Sequence, residues 1–177
     1  MRSFLYLTMA AVDATSGVYK KIIEQFEAFT KQNLQGQILF VSDNENAILF
    51  KNDKMIPVKI NNILLEIKEY LENSEFCYVR FELLRHKNYK KILDICMKCG
   101  TKIITEIQTF PPYQESLARV RAKKKERKYL GALKTLIGAA FVVFDMYRIA
   151  KFSDMVCIVA DDYKFKKTKT IRIENGV

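Results

Sequence analysis

Ser16 and Gly17 stand directly before a segment with helical spacing, in Asp13-Ala14-Thr15-Ser16-Gly17-Val18. The free N–H groups and the dipole of a helix start can hold an anion or a sugar hydroxyl at such a place. The same pair also describes an ordinary serine N-cap with a glycine easing the turn. Arg80 closes the apolar stretch 76–81, where a charge needs a partner because burying it alone is costly. Glu82 or Glu106 would make that pair structural; a substrate group would make it functional. Glu106 closes the next apolar stretch, 102–107, beside Gln108 and Thr109, and is placed to accept hydrogen bonds from hydroxyls.

Several other chemistries are disfavoured by what accompanies, or fails to accompany, their residues. His86 is the only histidine, so a Ser-His-Asp or Cys-His mechanism would have to use it. It sits between Arg85 and Lys87, cations that disfavour its protonated form, and reads as a solvated loop residue. Cys96-Met97-Lys98-Cys99 lacks the second ligand pair that zinc needs and does not open a helix as a redox motif would. Its cysteines belong to a core. Four cysteines make no disulfide framework in a chain of 177 residues, which favours a reducing, cytoplasmic setting. Neither GxGxxG nor GxxxxGK[ST] occurs, which speaks against a nicotinamide oxidoreductase.

Charge is the most uneven property of the chain. The whole carries +10, and residues 117–151 hold ten cations against Glu126 and Asp145, a net of +8. Arg119, Arg121, Lys123, Lys124, Lys125, Arg127 and Lys128 lead into Leu130, Leu133, Leu136, Ile137 and Phe141. That order suits an interfacial helix on anionic lipid. A basic nucleic-acid-binding module is the rival, although Tyr129 is the one stacking aromatic near the basic run. A solvated helix face is the plainer reading of the same charges.

These residues need elements to hold them. Hydrophobic residues make up 49% and charged residues 28%, enough for a real core. Residues 3–9 form a continuous apolar run suited to a strand buried on both faces, not a signal peptide. Helical spacing follows over 18–31, 61–71 and 88–99, the last ending at Gly100 in the usual place for a C-terminal glycine. Strands are expected at 37–41, 47–51 (at an edge), 76–81, 102–107, 155–159 and 170–173. Residues 116–152 read as a long helical stretch, split near Gly131 or Gly138. The longest apolar run there, 135–144, falls short of the roughly 18 residues that span a bilayer. Alternation of strands and helices implies one α/β domain with a doubly wound, mostly parallel sheet and helices on both faces. Ligands in such sheets bind beyond the carboxyl ends of the strands, which singles out loops 11–17, 42–46, 81–86 and 108–113.

The pieces resemble the N-terminal domain of a bacterial family 4 retaining glycosyltransferase of the GT-B fold, of the capsule and exopolysaccharide type. Ser16-Gly17-Val18-Tyr19-Lys20-Lys21-Ile22, Tyr78-Val79-Arg80-Phe81 and Ile104-Thr105-Glu106-Ile107-Gln108-Thr109-Phe110-Pro111-Pro112-Tyr113 carry the likeness. Ser153-Asp154-Met155-Val156-Cys157-Ile158-Val159 and the closing Ile171-Arg172-Ile173-Glu174-Asn175-Gly176-Val177 extend it over nearly the whole chain. The resemblance implies a Rossmann-like, acceptor-side domain over 1–177, followed in the parent enzyme by a second domain that holds the nucleotide-sugar donor. It implies sugar transfer to a glycan or lipid-linked acceptor, with retention and without a metal or other cofactor, at the inner face of the cytoplasmic membrane. No Asp-x-Asp motif that could hold a metal is present. Ser16 and Gly17 would lie near the donor phosphates, and Arg80, Glu106, Thr109 and Tyr113 near the acceptor; most catalytic groups would lie in the second domain. Two departures stand out. The first loop has Ser-Gly-Val where many relatives carry a glycine pair, and 106–109 replaces a strand end that is often histidine.

Overall fold

The computed structural model describes residues 2–42, 45–81, 87–108, 113–158, 165 and 168–172, without the side chains of 87–89 and 115. The elements run β1 (Ser3–Thr8), α1 (Gly17–Thr30), β2 (Gln35–Val41), β3 (Asn46–Lys51), β4 (Lys54–Lys59), α2 (Ile60–Glu72) and β5 (Phe76–Arg80). Then follow α3 (Lys87–Cys99), β6 (Lys102–Ile107), α4 (Gln114–Lys125), α5 (Tyr129–Phe152), β7 (Met155–Ile158) and β8 (Lys169–Arg172). The eight strands make one mixed, mostly parallel sheet in the order β4-β3-β2-β1-β5-β6-β7-β8. The strand order turns back at β1, whose neighbours β2 and β5 both run parallel to it. This is the α/β, Rossmann-like class that the alternation implies.

The edge differs from expectation. Residues 47–51 pair on both sides, because β4 folds back on β3 as an antiparallel hairpin. Its two-residue turn, Asn52-Asp53, takes φ of 50° and 58°, the left-handed pair that matches the twist of a hairpin. Pro57 and a mostly exposed face hide β4 from a pattern reading, yet an edge is where a proline strand is tolerated.

By contacts the chain forms two compact units, residues 1–104 and 105–177. In the first, every residue of β1 is buried. The Phe4 ring lies 5.4 Å from Phe26, 5.2 Å from Phe29 and 5.4 Å from Phe76. Gly36 on β2 makes room for this cluster: a Cβ there would stand 2.4 Å from the Phe4 ring and 2.5 Å from that of Phe26. From α1, Ile22 and Phe26 face inward one turn apart; α2 supplies Ile60, Ile63, Ile67 and Leu71. Tyr70 donates its hydroxyl to the Phe4 carbonyl at 3.1 Å, and burial pushes its pKa up to about 12. Gly100, at φ 71°, ends α3 where glycine is favoured.

In the second unit the stretch is split into two helices as expected, but at neither glycine; Gly131 and Gly138 both lie inside α5. The break comes earlier, at 126–128. Arg127 donates to the Lys124 carbonyl and Lys128 to that of Lys123, a Schellman closure with Arg127 at φ 58°. Backbone hydrogen bonding therefore sets the boundary, and not glycine content. Farther on, the Ser153 hydroxyl donates to the Ile149 carbonyl at 2.8 Å and lies 2.7 Å from that of Thr105. Met146, Ile149 and Ala150 bury the last turns of α5. At 24 residues, with a mean hydropathy of 1.5 over its most apolar stretch, α5 is long and apolar enough to cross a membrane. The run of about ten understated it, because Lys134 interrupts the sequence but not the helix.

Candidate functional site

Three of the expected residues, Ser16, Gly17 and Arg80, belong to the first unit, the first two after the end of β1 and the third at the end of β5. β1 and β5 run side by side with Leu7 opposite Val79, so Thr8 and Arg80 end their strands together where the strand order turns. The chain leaving β1 is held by its own side chains. Thr8 Oγ1 accepts from the Ala10 N–H at 3.1 Å. Asp13 accepts from the Thr15 hydroxyl at 2.7 Å and its N–H at 2.9 Å, which holds its carboxyl below the usual carboxylate range. Ser16 then caps α1, accepting from the Val18 N–H at 3.2 Å. Gly17 opens the helix, and nothing lies within 4 Å of where its Cβ would stand. Its φ is not in the left-handed region, so neither backbone nor packing calls for glycine here. The serine cap is real; the turn-easing role for Gly17 is not.

Arg80 is buried, 7% exposed; the residue is engaged, although its Nη1 makes no hydrogen bond among the described residues. Its cationic end is thus held at the carboxyl end of β5, inside the protein.

Glu106 belongs to the second unit and is fully buried in β6. The Cys157 thiol is pushed up to about 11, first by burial and then by the negative charge of Glu106. Asp145, 5% exposed on α5, is a second buried carboxylate that the residue pattern did not single out; its Oδ2 has no hydrogen-bond partner among the described residues. The expectation for Thr109 lies outside the described residues, as does that for His86. Tyr113 is 39% exposed at the start of α4, where its carbonyl receives the Leu117 N–H.

Cys77, Cys96 and Cys157 are buried as core residues, whereas Cys99, at the last position of α3, is only partly buried, against the expectation. Cys96 is buried against Cys77, whose thiol is pushed well up by its hydrogen bond to Cys96 and by burial. Cys99 points elsewhere, with Sγ 3.9 Å from the Lys68 carbonyl. Among the described residues, no group of three or more His, Cys, Asp or Glu side chains could hold a metal ion.

The basic cluster divides by role. Lys123 donates to Thr135 Oγ1 at 2.8 Å and ties α4 to α5, and Lys128 pairs with Glu126 at 2.8 Å. Arg119, Arg121, Lys124, Lys125 and Arg127 are exposed. Two grooves escaped the reading of loops at carboxyl strand ends. One, of about 450 Å³, lies at the opposite end of the first unit among Phe26, Gln35, Phe50, Asn52 and Tyr70. The other, of about 410 Å³, runs between α4 and α5 and sets Arg121 and Lys124 beside Tyr129, Leu133 and Leu136. The second joins two helices adjacent in the chain; the first depends on long-range pairing. No protein-family model matches the chain, and no curated protein matches it.

Proposed function

We propose that the chain is the acceptor-side half of a GT-B-type glycosyltransferase, moving a sugar from a nucleotide-sugar donor to a glycan or lipid-linked acceptor of the cell surface. The single observation that carries this reading is Gly17. A glycine that neither backbone nor packing calls for, at a serine-capped helix start beyond β1, leaves open approach to free N–H groups. An anionic or hydroxylated ligand can use them. The helix start follows β1, the strand at which the strand order turns, and open α/β sheets take their ligands beyond the carboxyl ends of the strands at such a turn. Arg80 supplies positive charge at the end of the neighbouring strand. Ser16 and Gly17 then border the donor phosphates, Arg80 steadies the acceptor side, and the second domain of the parent enzyme carries most of the chemistry.

The test is transfer of labelled sugars from a panel of nucleotide sugars to lipid-extractable glycan by the parent enzyme. Gly17→Val fills space that the fold leaves empty, so its melting temperature should stay unchanged while transfer falls by about 100-fold, as for a misplaced reactant. Undiminished transfer by Gly17→Val, or no transfer from any donor, would sink the reading.

A further inference from the structure

The α5 helix is apolar on two sides, and the protein covers only one of them. Ala132, Ala139, Met146 and Ile149 face inward. Leu130, Leu133, Ile137, Phe141 and Phe144, spaced by three or four residues, form one exposed stripe; Leu130 is 79% and Phe144 62% exposed. A contiguous row of large exposed apolar side chains marks a surface that another body covers, so this stripe, with Lys134 beside it, calls for a second cover. What lies beside it identifies the cover. Arg121 and Lys124 of α4 share a groove with Leu133 and Leu136, in a segment of net charge +8. Apolar side chains flanked by cations complement acyl chains beneath anionic headgroups.

We propose that the α4–α5 hairpin is a docking surface for an anionic lipid bilayer, with α5 lying in the plane of the interface. This inference does not depend on the sugar-transfer reading. The stripe from Leu130 to Phe144 covers 14 residue steps, about 21 Å along the helix axis. Placed flat, it enters the bilayer to the 5–10 Å or so typical of interfacial helices. Spanning would instead require the last turns of α5, buried through Met146, Ile149 and Ala150 and tied by Ser153 to Thr105, to leave the folded unit. The helix has the length to cross; its packing holds it at the surface.

The chain contains no tryptophan, so Leu130→Trp gives a single reporter at a position exposed enough not to disturb the fold. Vesicles of phosphatidylcholine, with and without phosphatidylglycerol, are added at about 0.1 M salt, where charges act over roughly 10 Å. The expected result is a blue-shifted emission with the anionic vesicles only, quenched by labels near the headgroups and not by labels at the bilayer centre. Arg121→Gln with Lys124→Gln should lower partition roughly 30-fold, about five-fold per cation, with an unchanged melting temperature. Leu133→Ser should weaken binding without moving the melting temperature. Equal binding to neutral vesicles, quenching at the bilayer centre, or no binding would each overturn the proposal. So would self-association that covers Leu130, or RNA binding that competes fully with vesicles.

Discussion

β1 and the first half of α5 are both strongly apolar, and their fates are opposite. All six residues of β1 are buried, between parallel neighbours and against the aromatic side chains of α1. Along α5, Leu130, Leu133, Leu136 and Ile137 are all exposed. Each segment needs its apolar surface removed from water; only the first finds its cover within its own unit. Flanking chemistry separates the two. β1 is followed by a polar turn that starts a helix, whereas α5 follows a run of cations, a neighbour suited to an anionic surface.

Substitution on each side should sharpen that contrast. Gly36→Ala drives a methyl group into the rings of Phe4 and Phe26, which are fixed by further aromatic contacts and cannot swing aside. Chemical denaturation should report a loss of about 3 kcal/mol, the upper range for overpacking. Leu130→Ser, on the other side, should stay within about 0.5 kcal/mol, as exposed substitutions do. A small effect at Gly36 would mean that the aromatic cluster is loosely packed and the contrast is false.

Tyr70 tests the covered side by pH. Its hydroxyl donates to Phe4 and Gln35 carbonyls, and its pKa rises from 10.0 to about 12 on folding. The folded state therefore holds the phenolic proton more tightly than the unfolded state. This contribution is complete below pH 10 and is lost as the pH climbs from 10 toward 12. Tyr70→Phe should cost about 1 kcal/mol at neutral pH, with the gap to the parent protein closing over that alkaline window. A gap that stays constant through pH 12 would show that the hydroxyl is not held as described.

A small gain in stability is expected at the hairpin bend. Gly100 and Arg127 serve the same closure at the ends of α3 and α4, at φ 71° and 58°. Only the arginine carries a side chain that disfavours it. Arg127→Gly should raise stability by about 0.5–1 kcal/mol while leaving the bend in place. A loss of stability would place the Arg127 side chain in a contact that outweighs its backbone strain.

Much of this architecture is legible in local pattern. Residues 102–107 were expected as a strand and form one; Gly100 ends its helix; Ser16 caps α1. Period and cap chemistry act over a few residues, so a single segment displays them. β4 escaped because proline and exposure erase its alternation, and its partner β3 alone makes it a strand. The bend at 126–128 escaped because its signal is a set of hydrogen bonds around an arginine, where glycine is the usual marker. Among the candidate residues, the types of Ser16, Gly17 and Arg80 in the first unit and of Glu106 in the second pointed to anion and hydroxyl binding. The burial of Arg80 and Glu106, and the empty space beside Gly17, were not readable from types.

By itself, the amino-acid order determined the α/β class, most element boundaries and the concentration of positive charge in 117–151. Those properties follow from backbone periodicity and from charges that add along the chain wherever they fold. Tertiary structure decided which apolar face is covered, that Lys123 ties two helices while Arg121 and Lys124 share a groove, and that Gly17 faces open space. Cover and space depend on residues distant in the chain that meet only after folding, and no local pattern encodes what stands opposite.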